Sequence, residues 1–431
     1  MSACAPAIEK TGKVVGLSEV DLGSVYAVLY LSPQASTWGW GTGVAQQAKG
    51  YVAFIKADGS YELVANEGMD SNAVSWTEDG LFYSDQSHDY LLQPGQEPQV
   101  FTSPKTEYQD GLVTLENGSR VGAFNVGFTE DGYLEEVVIN DGSASKKKNT
   151  GRWATLIAAC GNSVFSMDQN DGDVGGGVRT TSTLNWLVRD GEVYEGVIAQ
   201  HESLFTITGF RSRAAPCVDD EVFLLASADI STVVDDNPEG EPSSELKSIA
   251  GNPNEAEAVA KCQIYTSDTG LKSCPTIERW NTQSGERKII PVLDQTGLEL
   301  DLTGDFFDWS LYDSGSVLDG DLYWWHSLGH LVKTDLSSGA TTLVASDPVR
   351  PKDKDSAARY FFQMGRNTAH VLAIPYADEP DNPDQIPQAR LMVFKLDNGE
   401  LTTEITVPGL SQSVNVDLVA RGFAINPTKR E

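Results

Sequence analysis

A chain of 431 residues with 31 basic against 62 acidic side chains carries a formal charge of −31. That balance excludes a nucleic-acid backbone or an anionic membrane surface as the natural partner and favours cations, basic proteins or neutral ligands. With 40% hydrophobic, 9% aromatic and 22% charged residues, the composition is core-forming and not that of a disordered acidic chain.

The chain opens on Met1-Ser2-Ala3-Cys4. Small residues before a cysteine resemble the end of a bacterial lipoprotein signal, with Cys4 as the lipidation site. A cytosolic start at Met1 with an incidental cysteine is the alternative. All apolar runs are shorter than the ~18 residues needed to span a bilayer, so the expected membrane link is a lipid at Cys4 alone. Residues 1–12 are read as a tether, 13–426 as one domain and 427–431 as a tail.

From Lys13 onward one pattern recurs: an apolar run, a polar turn with glycine, a second apolar run. Its clearest copy is Leu322–Val344, LYWWHSLGHLVKTDLSSGATTLV, with three short β-type runs separated at Gly329 and Gly339. In chain order the hairpins fall at Tyr51–Ala65 (turn Gly59), Tyr90–Thr102 (Gly95), Val126–Ile139 (Gly132), Leu184–Ile198 (Gly191), Ile277–Val292 (Gly285), Leu331–Val344 (Gly339) and Leu391–Val407 (Gly399). A second hairpin precedes most of them, at Ala73–Ser84, Leu112–Phe124, Ala154–Met167, Leu204–Ala226, Val317–Trp325 and Tyr360–Ile374. A repeat of that length, built of strands, predicts an all-β ring of four-stranded sheets. Seven blades is the expected count, with six or eight as alternatives. Lys13–Asp21 and Val414–Ile425 have no hairpin partner, so together they are expected to close the ring and cover its edges.

On these repeats the whole chain resembles a β-propeller of the broad class that includes WD40, YVTN and quinoprotein-type proteins. The Trp-Asp dipeptides, Asp boxes and tryptophan docking motifs of particular families are missing, so the resemblance implies an architecture and no one activity.

The blade register gives the cysteines positions. Cys160 and Cys217 occupy matching inner turns of adjacent blades, which makes them an expected inter-blade disulfide. Cys262 and Cys274 then close a short local loop. Two disulfides imply an oxidising compartment; four reduced thiols in a cytosolic protein is the alternative.

Four connections are long, at residues 32–50, 168–181, 230–261 and 376–389. Each joins the second strand of a blade to the third, so all leave from one face, which becomes the expected binding face. Three are acidic, carrying Asp168, Asp171 and Asp173; Asp235, Asp236, Glu239, Glu241, Glu245, Glu255 and Glu257; and Asp378, Glu379, Asp381 and Asp384. The fourth offers Trp38 and Trp40 among glycines. In a seven-blade ring it neighbours the 376–389 connection, so Trp38, Trp40, Asp378 and Asp381 form a candidate site for a sugar or cationic ligand. The structural alternative is a local minicore of tryptophans beside solvated acids.

Other chemistry is sparse. Asp168-Gln-Asn-Asp-Gly-Asp173 resembles a calcium loop, but its fifth position is Gly172 where a ligand is required, so a plain turn is expected and Ca2+ is the alternative. His326 and His330 flank a strand turn, which does not suit zinc. Asp305 and Asp308 are candidate glycosidase acid and base, or turn formers at a blade entrance. Three functions follow: an extracytoplasmic, lipid-anchored monomer binding a partner protein or envelope glycan; a carbohydrate-active hydrolase or lyase; or a scaffold of an envelope assembly. No cofactor is required by any of them.

Overall fold

The computed structural model describes residues 12–430 apart from 34–48, 130–131, 152–153, 172–179, 209–213, 230–252, 267–271, 299, 303–306, 308–309, 350–357, 376–386 and 417. The described residues form seven sheets, each one blade of a ring. The strands read as apolar on both faces because each blade is covered by a neighbour on both sides. Trp324 and Trp325, consecutive in Asp321–His326, point to opposite faces of the sixth blade and are each fully buried, Trp324 towards the fifth blade and Trp325 towards the seventh.

The chain closes the ring in its first blade. Leu418–Ile425 pairs antiparallel with Val25–Pro33 as the innermost strand, followed outward by Lys49–Lys56 and Tyr61–Glu67. Lys13–Val15 adds a short parallel strand to the outer edge of that blade. The closing strand starts later than the expected Val414, because Val414–Val416 end the helix Leu410–Val416. Around the axis the innermost strands Leu418–Ile425, Val74–Thr77, Gln109–Thr114, Leu156–Cys160 and Cys217–Val218 follow one another, and Ala358–Met364 returns to Leu418–Ile425.

One hairpin differs from expectation. In the third blade the turn at Gly132 joins the second strand, Arg120–Thr129, to the third, Gly132–Asn140. The outer strand is Ser145–Thr150, SKKKNT, whose lysines are too polar to read as a strand. Lysines on an outer edge are a recognised way to block further strand addition. The innermost strand of the fifth blade is also divided, with Thr206–Ile207 and Cys217–Val218 both pairing with Glu221–Asp229.

The outer turns set the spacing between blades. Asp335 Oδ1 accepts from the Ser337 and Ser338 amides at 3.1 and 2.6 Å, and the turn ends in Gly339 at φ +78°. A Cβ on Gly339 would lie 1.9 Å from the Pro291 carbonyl oxygen of the preceding blade's outer strand. The same contact recurs at Gly399 with Val344 O (1.9 Å) and, across the closure, at Gly59 with Thr406 O (2.0 Å). Both disulfides are formed. Cys160–Cys217 ties the inner turns of the fourth and fifth blades with Cα atoms 5.5 Å apart, and Cys262–Cys274 (5.8 Å) fastens the end of the helix Pro253–Lys261 to Lys272–Asn281.

Two outcomes follow. Gly339→Ala combines a left-handed φ with overpacking and lowers stability by roughly 3 kcal/mol, whereas Gly320→Ala, at φ +85° with open space around it, costs only about 1 kcal/mol; urea midpoints of the two variants give the comparison. Loss of the Cys160–Cys217 bridge, which closes 57 residues, costs about 4 kcal/mol, against about 3 kcal/mol for the 12-residue Cys262–Cys274 loop. Paired serine variants melted side by side should keep that order.

Candidate functional site

In all blades but the first the innermost strand is the first strand of its sheet, so the innermost strands begin at the same end of the ring from which the second-to-third connections leave. Along the axis lies a cavity of about 270 Å³ to which all seven blades contribute, represented by Gly422, Ser75, Thr114, Ala159, Ala214, Tyr312 and Gln363. Its charged lining is Arg359, Arg421, Arg430 and Asp313.

Arg421 Nη2 donates to Asp70 Oδ1 at 3.1 Å, and Arg359 Nη1 donates to the Ala420 carbonyl at 3.3 Å. Arg430 comes from the C-terminal segment, which is packed and not a free tail. Its Nη2 donates to the Trp76 and Ile425 carbonyls at 2.5 and 2.8 Å, and its own carbonyl accepts from the Arg366 amide at 2.9 Å. Arg430 therefore bridges the second and seventh blades. Asp313 accepts from the Gly315 and Met364 amides, both at 2.9 Å. Burial raises its pKa, opposed by those amides and by Arg430.

Two acids with raised pKa stand near the long-connection end. Burial and the neighbouring Asp110, which shares a hydrogen bond with it, hold the Glu135 carboxyl well above the usual carboxylate range. Burial and the charge of Asp70 raise Glu107 in the same direction. His326 is buried with Nε2 2.7 Å from the Asp301 carbonyl, and burial lowers its pKa to about 4. His330 bonds Ser346 Oγ through Nδ1 at 2.8 Å. The two rings are 6.2 Å apart, each held by its own partner.

Several expected site residues lie outside the described residues: Cys4, Trp38, Trp40, Asp305, Asp308, Asp378 and Asp381, with Asp173, Asp235, Asp236, Glu239, Glu241, Glu245, Glu379 and Asp384. Others are placed differently from the sequence reading. Asp168 to Asp171 continue a strand paired with Thr180–Thr183, and Asp168 Oδ2 accepts from Asn185 Nδ2 at 3.1 Å inside the fold. Among the described residues no group of three or more acids, histidines or cysteines is placed to hold a metal ion. Glu255 is buried rather than on the loop face, 2.7 Å from Arg287 Nη1, and Arg287 also binds Glu278 through Nε at 3.1 Å. This buried triad and the Cys262–Cys274 bridge pin the helix Pro253–Lys261 to the fifth blade.

Sequence reasoning passed over the three axial arginines. The available signal for two of them was a basic residue inside an innermost run, in ARYFFQM at Arg359 and in LVARGFAI at Arg421. Such runs should be apolar wherever both faces are buried.

The buried groups set opposite pH dependences. The lowered pKa of His326 means the unfolded chain binds its proton first, so this contribution is present above pH ~6.5 and is lost as pH falls towards 4. Glu135 has a raised pKa, so its contribution is present below pH ~4.5 and is lost as pH rises. Thermal melts across pH should show His326→Gln with a flatter acid limb than the parent. Glu135→Gln, which mimics the protonated acid, should gain stability at neutral pH and lose that advantage near pH 4.

A family model described as "YycP, beta-propeller domain" matches residues 21–183, from the first blade into the fourth. Among solved structures, apo AztD from Citrobacter koseri is similar at 14% identity, covering 93% of this chain and 98% of that one with a TM-score of 0.41. The β-propeller domain of the trilobed protease from Pyrococcus furiosus covers 92% of this chain and 96% of its own at 9% identity and a TM-score of 0.43. BamB from Moraxella catarrhalis covers 77% and 71% at 12% identity and a TM-score of 0.35. No curated protein matches the chain. The ring of seven sheets, closed by its terminal strands, together with the family match over the first blades, makes this chain a β-propeller.

Proposed function

We propose that the protein is an extracytoplasmic binding module that takes a partner protein or an envelope glycan on the face bearing its long connections. One topological observation carries this reading. The second-to-third connections of the first, fourth, fifth and seventh blades are long, while those of the second, third and sixth are short turns at Ser84–His88, Thr129–Gly132 and His326–His330. The blades that bear the long ones form two adjacent pairs, seven with one and four with five, on opposite sides of the ring. A ligand in extended form, crossing from the second and third blades to the sixth, passes between the two pairs. Variable loops on a rigid scaffold are the usual seat of recognition.

Two disulfides support an oxidising compartment, and the formal charge of −31 argues against nucleic acid. Lipid attachment at Cys4, holding the module at a membrane as a monomer, belongs to the same reading.

The test replaces residues 234–248 and, separately, 378–385 by short Gly-Ser linkers and measures binding to immobilised envelope glycans and envelope proteins. Binding should fall in both variants and survive Gln283→Lys with Asp397→Lys, which alter turns on the opposite face. Loss in the latter variant with retention in the former moves the site to the other face.

A further inference from the structure

We propose that the axial cavity binds a carboxylate attached to a small apolar body, with Arg359 and Arg421 holding the carboxylate and Phe361 and Phe423 the body. This site does not depend on a macromolecule docking at the long-connection face.

The charge of the lining runs against that of the chain. In a protein of formal charge −31, the described residues lining this cavity include three arginines and one acid. Charges close to a ligand inside a low-dielectric channel outweigh distant ones that are screened by solvent. Arg421 already meets Asp70 at 3.1 Å and Arg430 feels Asp313, so the site adds a ligand carboxylate to this set, and a planar guanidinium fork matches a carboxylate.

These residues stand at the channel end of the seam between the seventh and first blades. In Ala358–Met364, Tyr360, Phe362 and Met364 face the core between the sixth and seventh blades, and the alternate residues Arg359, Phe361 and Gln363 face the first blade, where Phe361 and Phe423 pack against the core between those two blades and also line the cavity. In the closing strand the pairing shifts register: Leu29 faces Phe423 and Leu31 faces Ala420, so Arg421 and Gly422 stand opposite Tyr30 alone. A bulge of this kind redirects a side chain, and here Arg421 enters the cavity wall. The two arginines belong to adjacent strands, because Arg359 Nη1 is 3.3 Å from the carbonyl of Ala420, the neighbour of Arg421. Two positions deeper on each strand the rings of Phe361 and Phe423 lie 6.1 Å apart and tilted by 48°. Two guanidinium groups near a phenyl pair offer positive charge beside an apolar surface, and a volume of about 270 Å³ admits a small organic acid.

That chemistry has two sources, a free organic acid and the C-terminal residue of a polypeptide. Titration calorimetry of the full chain uses 3-phenylpropionate for the first, N-acetyl-phenylalanine for the second, and 3-phenylpropionamide as the neutral control. The expected result is saturable binding of at least one acid, with the amide about tenfold or more weaker, a fold-change that matches loss of a charge-assisted pair. Arg359→Gln should weaken the acid about tenfold and leave the amide unchanged, and Arg359→Lys should restore part of the loss. Arg421→Gln should act in the same direction, with circular dichroism confirming that each variant is folded. Preference for 3-phenylpropionate assigns the site to a free acid, and preference for N-acetyl-phenylalanine assigns it to a chain terminus. Equal binding of acid and amide, absence of binding by the parent, or unchanged binding in folded Arg359→Gln overturns the proposal.

Discussion

The ring depends on a backbone contact at its rim, where the glycine of an outer turn lies on the outer strand of the preceding blade. Gly339 against Pro291, Gly399 against Val344 and Gly59 against Thr406 repeat it with almost the same separation. Hydrophobic burial between blades is large but non-directional, so by itself it does not determine how far apart two sheets stand. A carbonyl oxygen against a glycine Cα does, because neither group can give way. The Gly59 contact joins the first and last blades, so the closure is held at the rim by the same device as its neighbours. Near the axis it is held by Leu418–Ile425.

Much of this architecture was legible because these contacts have a local signature. An Asp or Asn that caps a turn, followed by glycine at positive φ between two apolar runs, marks Gly285, Gly339 and Gly399, and the blade register follows from them. With that register the Cys160–Cys217 pairing also became visible, since both residues occupy inner turns. Failures came where a strand lacked the apolar pattern. Ser145–Thr150 pairs along one edge only and carries three lysines, and its place in the ladder comes from Gly132–Asn140 beside it. The start of the expected strand Val414–Ile425 falls in the helix Leu410–Val416, because its apolar spacing there is short and ambiguous between the two periods.

The grouping of the axial arginines was hidden for a different reason. A channel wall is made of residues that are distant in sequence and belong to separate repeats. Arg421 meets Asp70 across 351 positions, and Arg430 meets Trp76 across 354. No local window contains such a pair. The misplacement of Glu255 is similar, for its acidic neighbours suggested a solvated face, while the partner that draws it inside, Arg287, lies 32 residues on.

Closing the first blade with the last strand also bears on how the protein is made. Until residues 418–425 leave the ribosome, or an export channel, the first blade has three of the four strands of its main ladder, and the paired edge of Val25–Pro33 is bare. That strand is buried along nearly its whole length in the finished ring. An apolar edge of nine residues held open for the time of synthesis is a template for pairing with another chain. The nascent protein therefore needs its first blade kept unfolded or shielded until the C-terminal strand arrives, and truncation from that end exposes an adhesive edge in addition to removing a strand.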